Sequence, residues 1–114
     1  MNMFKVEAII RQEKLEEVKD ALAKEGIMGL TVYSVRGRGR QKGYILNFRG
    51  REVRVDLLPK IKLELIIKDN ELEKVIRIIR ERAFTGEVGD GKIFFYPVQD
   101  IIRIRTAERG EEAI

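Results

Sequence analysis

The chain has 114 residues, 44% of them apolar, a formal net charge of +4, and neither cysteine nor histidine. This length suits a single domain, and the missing residue types exclude disulfides, thiolate or imidazole metal sites, histidine-based catalytic triads and histidine phosphotransfer. No apolar run is long enough to span a membrane and no signal peptide is recognisable, so we expect a cytoplasmic binding protein rather than an enzyme.

The first third of the chain predicts a strand, a helix and a second strand. Apolar residues alternate with polar ones over residues 4–10, which is the period of a strand. From about residue 13 to residue 25 the apolar residues recur at helical spacing, and Gly26 is suited to end that helix. Residues 30–35 are rich in β-branched side chains and predict the second strand.

Residues 61–98 repeat this order. Alternation predicts a strand at 61–67, and the spacing of Asn70 and Glu73 predicts a helix N-cap with its reciprocal partner. A helical stripe and a glycine-rich turn lead to a strand at 93–96, and a further short strand is expected at 101–105. Two such units predict an α+β, ferredoxin-like βαββαβ fold with a four-stranded antiparallel sheet and both helices on one face.

The other face of this sheet would be uncovered. Ile9, Val32 and Ile66 are expected to contribute apolar surface to it. Because closed cyclic symmetry is the usual way to bury such a face, the pattern favours a symmetric oligomer.

Between the two units lies an unusual segment, residues 37–57. Seven cations against the single anion Glu52 give residues 36–54 a charge of +6, so the remainder of the chain sums to −2. The segment contains four glycines and the apolar residues Ile45, Leu46 and Phe48. We predict a long mobile loop that becomes ordered against a binding partner.

Three stretches could bind anions. Residues 86–92 follow the spacing G-x-x-x-x-G-K, although Ile93 stands where a hydroxyl residue would bind magnesium, and the loop follows a helix instead of a strand. Glycine amides and Lys92 could still bind phosphate, and a helix cap followed by a tight turn explains the stretch equally well.

The other two stretches are weaker. Arg103 and Arg105, at i and i+2 on the predicted strand, would present two guanidinium groups to one side. A solvated strand face or an ion pair between subunits explains them as well. Residues 36–43 could bind an anion or RNA, or form a flexible solvated loop.

Together these stretches resemble the PII family of signal-transduction proteins, which includes the GlnB and GlnK proteins. The resemblance extends along nearly the whole chain, in order and at the spacing of the family. The matching stretches are Glu7-Ala8-Ile9-Ile10, Gly29-Leu30-Thr31-Val32, Gly39-Arg40-Gln41-Lys42-Gly43, Arg49-Gly50, Val55-Asp56-Leu57-Leu58-Pro59-Lys60, Thr85 to Phe94, Ile102-Arg103-Ile104-Arg105-Thr106 and Ala113-Ile114.

The resemblance implies one PII domain over residues 1–114, with a T-loop at about 37–57, a B-loop at about 84–92 and a C-loop at about 101–108. It implies a homotrimer that binds ATP or ADP between subunits and is not an enzyme. The matching nucleotide-binding positions are Thr31, Gly37, Arg40, Val88, Gly89, Asp90, Gly91 and Lys92, with Arg103 and Arg105 contributed by a neighbouring subunit.

The resemblance also implies that 2-oxoglutarate binds beside magnesium and ATP. Gln41 would ligate the magnesium together with the ATP phosphates, and Lys60 would pair with the distal carboxylate. The matching positions for oxoglutarate are Gly39, Gln41, Lys42, Gly43 and Lys60. Occupancy would then select among shapes of the T-loop.

The loop tip resembles that of GlnK proteins, which plug the cytoplasmic mouth of an Amt ammonium transporter. Phe48, Arg49 and Gly50 would make this contact, and the protein would associate reversibly with the membrane through its partner. Glutamine synthetase or another nitrogen enzyme is the alternative partner. Val53 replaces the tyrosine that many bacterial members modify, and Arg51 replaces a serine phosphorylated in some cyanobacterial members, so we expect no modification at either position.

A ferredoxin-like RNA-binding domain is the alternative from another class. Such domains stack bases on aromatic residues of the open sheet face. We expect few aromatic residues there and find no RNP-like run, so nucleic acid is not an expected partner.

Overall fold

The computed structural model describes residues 2–40 and 43–114. It contains six strands and two α-helices in the described residues: β1 (Met3–Ile10), α1 (Leu15–Lys24), β2 (Thr31–Gly37), β3 (Tyr44–Phe48), β4 (Arg51–Val55), β5 (Leu58–Lys68), α2 (Leu72–Ala83) and β6 (Lys92–Val98). Short 3-10 turns precede both helices and a third lies at the C-terminus. Over the described residues, none of the helices combines the length and apolarity that a membrane crossing requires.

Four strands form one antiparallel sheet in the order β2-β5-β1-β6, with β1 between β5 and β6. Alternate residues of β1 and β5 are buried, including Val6, Ala8, Leu63 and Leu65, because their side chains share the face that the helices cover. Val18 and Leu22 of α1 and Val75 and Ile79 of α2 complete this core. The predicted ferredoxin-like α+β fold is confirmed.

The start of α2 differs from the prediction. Asn70 lies inside a 3-10 turn, Asp69–Glu71, and the helix begins at Leu72 with no side-chain hydrogen bond at its N-cap, Glu71. The predicted capping pair of Asn70 and Glu73 is therefore wrong. The entry to the helix is held instead by the backbone, because the Asp69 amide donates to the carbonyl oxygen of Asn2 at 3.0 Å.

The side of the sheet opposite the helices, the open face, carries paired charges. Ile9 stands opposite Lys62, and Ile66 opposite Lys5, so both isoleucines lie on this face as expected. Val32 stands opposite Leu63 of the core, and its assignment to the open face is wrong because β2 has the other phase. Glu7 and Glu64 are neighbours across β1 and β5, and Lys5 and Lys62 lie within 3.8 Å of them.

Three aromatic residues also lie on the open face. Tyr33 stands opposite Lys62, Phe94 opposite Glu7 and Tyr96 opposite Lys5. The expectation of few aromatic residues there is wrong, because the phases of β2 and β6 could not be fixed from the sequence. The hydroxyl groups of Tyr33 and Tyr96 donate to Glu64 and Glu7.

Most of the predicted loop at 37–57 is a β-hairpin, defined here as residues 44–55. β3 and β4 pair in register from Tyr44 opposite Val55 to Phe48 opposite Arg51. The turn residues Arg49 and Gly50 have φ angles of 51° and 76°, which is the left-handed pair of a type I′ hairpin. Tyr44, Leu46 and Phe48 share one face of the hairpin, since alternate residues of a strand point to the same side.

Candidate functional site

A cleft of about 810 Å³ lies where three parts of the chain meet. The end of β2 with the residues that follow it forms one wall, the start of β5 a second, and the glycine-rich loop at residues 84–92 a third. The cleft brings together nine of the predicted site residues: Gly37, Gly39, Arg40, Lys60, Val88, Gly89, Asp90, Gly91 and Lys92. Ile9, Arg38, Leu58, Glu87 and Phe94 also line it.

The glycine-rich loop depends on glycine for its backbone path. Gly86, Gly89 and Gly91 have φ angles of 89°, 106° and 102°, which side chains rarely allow. A Cβ atom at Gly91 would lie 1.7 Å from the carbonyl oxygen of Ile9. The loop therefore runs directly against the end of the central strand β1.

Asp90 holds this loop together. Its carboxylate accepts hydrogen bonds from the backbone amides of Thr85 (2.8 Å) and Gly86 (2.9 Å), from the Thr85 hydroxyl, and from Nε of Arg11 (3.0 Å). Burial alone would raise the pKa of Asp90, but the donors from Thr85, Arg11 and Gly86 outweigh it and lower the pKa well below its ordinary 3.8. The carboxylate is thus charged and already occupied by donors of this chain.

Two cations hold successive carbonyl groups of the same loop. Nη2 of Arg11 donates to the Val88 oxygen at 2.9 Å, and Nζ of Lys60 donates to the Gly89 oxygen at 2.6 Å. Partial burial, and then the positive charge of Arg11, lower the pKa of Lys60 from its ordinary 10.5. With Arg38, Arg40 and Lys92 also lining the cleft, the site is suited to anions.

Arg11 was not predicted as a site residue. It follows β1 directly, where sequence reasoning saw only the end of a strand. Its partner Asp90 lies 79 positions away in the chain, so no local pattern connects them. The one available indication was that the central strand of this fold ends beside the loop that precedes its last strand.

Several predicted residues lie away from the cleft walls. Thr31 begins β2 opposite Glu64 on the open face. Gly43 lies at the base of the hairpin, where a Cβ atom would be 1.8 Å from the Val55 oxygen. Phe48, Arg49 and Gly50 form the hairpin tip. The predicted oxoglutarate ligands Gln41 and Lys42 lie outside the described residues.

The segment at 101–105 is not the predicted strand. Ile102 forms a single bridge with Arg109, residues 104–106 form a turn, and Ala107 has a φ of 63°. The chain folds back on itself here. The Arg103 amide donates to the Glu108 carbonyl oxygen at 2.9 Å, and the Arg103 guanidinium donates to the Glu108 carboxylate at 2.8 Å. The argument that Arg103 and Arg105 face one side of a strand is therefore wrong.

These two arginines are also separate from the cleft of their own chain, since neither lines it. Arg103 additionally donates to the Ile114 carbonyl at 3.2 Å, and Arg105 lies in the exposed turn. Ile104 between them is 99% exposed, which is unusual for an isoleucine. No group of three or more metal-binding side chains occurs among residues 2–40 and 43–114.

The chain matches the family model "Nitrogen regulatory protein P-II" over residues 3–108. It is 54% identical to "Nitrogen regulatory protein P-II 1" of Methanothermobacter thermautotrophicus, over 98% of this chain and 97% of that protein. It is 51% identical to "Nitrogen regulatory protein P-II" of Azospirillum brasilense, over 98% of this chain and all of the relative. Its fold is similar to that of Arabidopsis thaliana PII bound to citrate, with a TM-score of 0.80 and 45% identity, covering 99% of this chain and 92% of that one.

Proposed function

This chain belongs to the nitrogen regulatory protein P-II family, and on that premise we propose that it binds ATP or ADP in the cleft and senses 2-oxoglutarate beside it. Members of this family are regulatory signal-transduction proteins, not enzymes. The observation that carries the proposal is the convergence of the glycine-rich loop, Arg40, Lys60 and Lys92 on one cleft. Backbone amides and cations together are what a polyphosphate requires.

In the proposed nucleotide complex, the phosphates contact the loop from Val88 to Lys92, with Arg40 supplying further positive charge. Gly37 leaves room for the ligand to approach the backbone closely. Thr31, at the start of β2, would contact the nucleotide away from its phosphates. The role of Asp90 is to hold the loop through its bonds to Thr85 and Arg11 rather than to face the phosphates.

We propose that the functional unit is a homotrimer, as is typical of the family. Arg103 and Arg105 would then reach the phosphates of a neighbouring subunit, which accounts for their separation from the cleft of their own chain. The exposed Ile104 and the aromatic residues of the open face would be covered by the same assembly.

Oxoglutarate is proposed to pair its distal carboxylate with Lys60, which lines the cleft together with Gly39. The family pattern adds Lys42 and Gly43 to the proposed contacts. The Arabidopsis relative is bound to citrate, another small carboxylate, which supports a ligand of this class. The residues described fit a magnesium ion only if phosphate oxygens supply most of its ligands. Gln41 would add a side-chain oxygen, the kind of ligand that magnesium prefers.

The proposed output is the hairpin. Its tip, Phe48-Arg49-Gly50, is exposed, and the Arg49 guanidinium lies 5.4 Å from the centre of the Phe48 ring. We propose that this tip blocks an Amt ammonium transporter, so that a cytoplasmic protein associates reversibly with the membrane through its partner. Regulation would depend on ligands, because neither Val53 nor Arg51 carries the hydroxyl group that the family's modifications at these positions require.

The RNA-binding alternative is disfavoured by charge. Aromatic residues do lie on the open face, but Glu7 and Glu64 lie between them at its centre. Both carboxylates are paired with Lys5 and Lys62, so the centre of this face has no excess positive charge to attract a phosphate backbone.

Calorimetry tests the proposal. ATP with magnesium should bind the wild-type chain more tightly in the presence of 2-oxoglutarate, and oxoglutarate should bind more tightly in the presence of ATP by the same factor. A protein that ignores both ligands at millimolar concentration, or that sediments as a monomer with ligand bound, would contradict it.

A further inference from the structure

We infer that Arg11 is a positioning residue of the nucleotide site, which keeps the glycine-rich loop in its binding shape by joining the Asp90 carboxylate to the Val88 carbonyl group. This inference rests on the proposed function. The hydrogen bonds described for the Arg11 side chain all go to the loop, so it acts through Asp90 and Val88.

The Arg11 side chain is fixed both where it leaves the sheet and where it contacts the loop, which supports this role. Arg11 follows β1, one of the two inner strands of the sheet, and its side chain is only 14% exposed. Its planar guanidinium uses Nε for Asp90 at 3.0 Å and Nη2 for Val88 at 2.9 Å. Because the two donors are fixed in one plane, the pair of bonds sets the distance and angle between carboxylate and carbonyl. A lysine has one ammonium group at this place and cannot do the same.

The peptide geometry carries the effect to the amides. The described peptide bonds are all trans, so the carbonyl of Val88 and the N–H of Gly89 point in opposite directions. Arg11 therefore sets the direction of the Gly89 N–H, and Lys60 sets that of the Asp90 N–H through the Gly89 carbonyl. Gly89 has a φ of 106°, and these bonds are needed to hold its backbone there, because glycine can adopt many backbone conformations.

Lys60 and Arg11 differ in how the binding of 2-oxoglutarate would affect them. Lys60 lines the cleft and is the proposed partner of a dicarboxylate, which would compete with the Gly89 carbonyl for its ammonium group. Arg11 does not line the cleft, so we expect it to keep its bonds to Asp90 and Val88 in both situations. We therefore expect the loop to depend on Arg11 most strongly when ATP and oxoglutarate are both present.

The test is titration of the full chain with ATP and magnesium, with and without 2-oxoglutarate. The variants are Arg11→Gln, Arg11→Lys and, as the matched control, Arg77→Gln, which removes the same charge from the exposed side of α2. Loss of the two charged hydrogen bonds should weaken ATP binding by Arg11→Gln about tenfold. The enhancement by oxoglutarate should also shrink, Arg11→Lys should recover little of the affinity, and Arg77→Gln should stay within about twofold of wild type.

A double-mutant cycle separates positioning from a general loss of stability. If Arg11 acts through Asp90, adding Asp90→Asn to Arg11→Gln should weaken ATP binding by much less than Asp90→Asn does alone. The inference is wrong if Arg11→Gln matches Arg77→Gln in ATP affinity and in oxoglutarate enhancement, or if the two losses simply add. Should Arg11→Gln fail to fold, Arg11→Lys and Asp90→Asn decide by the same comparison. A wild-type chain that binds no ATP would instead overturn the proposed function, and this inference with it.

Discussion

The glycine-rich loop and the hairpin are both long connections in the family pattern, but the structure attaches them differently. The loop is held at three successive residues, Val88, Gly89 and Asp90, by the side chains of Arg11, which follows β1, of Lys60 in β5 and of Thr85. The hairpin extends away from the sheet with Ile45 55% and Phe48 63% exposed. Beside its base lies an exposed ion pair, Arg38 with Asp56 at 3.5 Å, which contributes little stability.

This difference suits a sensor with separate input and output. A loop whose amides are fixed before the ligand arrives loses little entropy on binding. A two-stranded hairpin with few contacts to the body is only marginally stable in one position, so ligand and partner can select among positions. Residues 36–54, which carry the excess positive charge, are therefore less constrained than the glycine-rich loop.

The largest difference between the two regions should appear when each receives the same substitution, Gly91→Ala and Gly50→Ala. Both glycines have positive φ angles, of 102° and 76°. A Cβ atom at Gly91 would clash with the Ile9 oxygen, whereas nothing lies within 4 Å of one at Gly50. We expect the free energy of unfolding to fall by about 3 kcal/mol for Gly91→Ala and by about 1 kcal/mol or less for Gly50→Ala. Denaturant unfolding measures both, and equal losses would contradict the comparison.

The next effect concerns ligand selectivity within the cleft. Lys60→Gln should weaken oxoglutarate binding by about 100-fold, because the proposed carboxylate partner is lost, and should change ADP affinity by less than about fivefold. Lys62→Gln is the matched control, since Lys62 lies on the same face of β5 but does not line the cleft. Isothermal titration with each ligand measures these constants. Undiminished oxoglutarate binding by Lys60→Gln would show that the ligand lies elsewhere.

A smaller effect is expected at the output end. Arg49→Ala should weaken binding to transporter-containing membranes by about tenfold, as loss of an arginine anchor does in other interfaces, while ATP affinity stays unchanged. Arg54→Ala is the control, because its position pairs with Ile45 on the hairpin face opposite to Phe48. Co-sedimentation with and without ATP measures the binding. If Arg54→Ala has the larger effect, the contact uses the other face of the hairpin.

The sequence predicted the sheet and the helices well because both periods are local. Alternation in β1 and β5 reflects one covered face, and the stripe in α2 reflects one covered side. Nine of the positions that the resemblance to the family assigns to ligand binding meet in the cleft, but Thr31, Gly43, Arg103 and Arg105 do not line it. The hairpin was missed because its two five-residue strands are short and its turn, Arg49-Gly50, lacks the usual Asn-Gly or Asp-Gly pair.

The other features that the sequence did not predict have one physical origin: contacts between residues distant in sequence leave no local pattern. Arg11 gains its importance only from Asp90, and the turn at Arg103 exists because Glu108 and Ile114 bind that side chain. The phases of β2 and β6, which put Tyr33 and Tyr96 on the open face, follow from pairing with other strands. Each of these features is decided by tertiary contacts.

The smallest effect should be the pH dependence of the glycine-rich loop. Asp90 has a pKa well below 3.8, because the donors from Thr85, Arg11 and Gly86 together outweigh the opposing effect of its partial burial. A lowered carboxylate pKa adds stability that is fully present above pH 3.8 and is lost as the pH falls through the lower folded value. Asp90→Asn should therefore melt below wild type at pH 6, and the gap should narrow as the pH falls below 3.8. Thermal unfolding at several pH values measures the gap, with Glu52→Gln in the hairpin as the control. A gap that is constant with pH would mean that the loop is held by the shape of the Asp90 side chain and not by its charge.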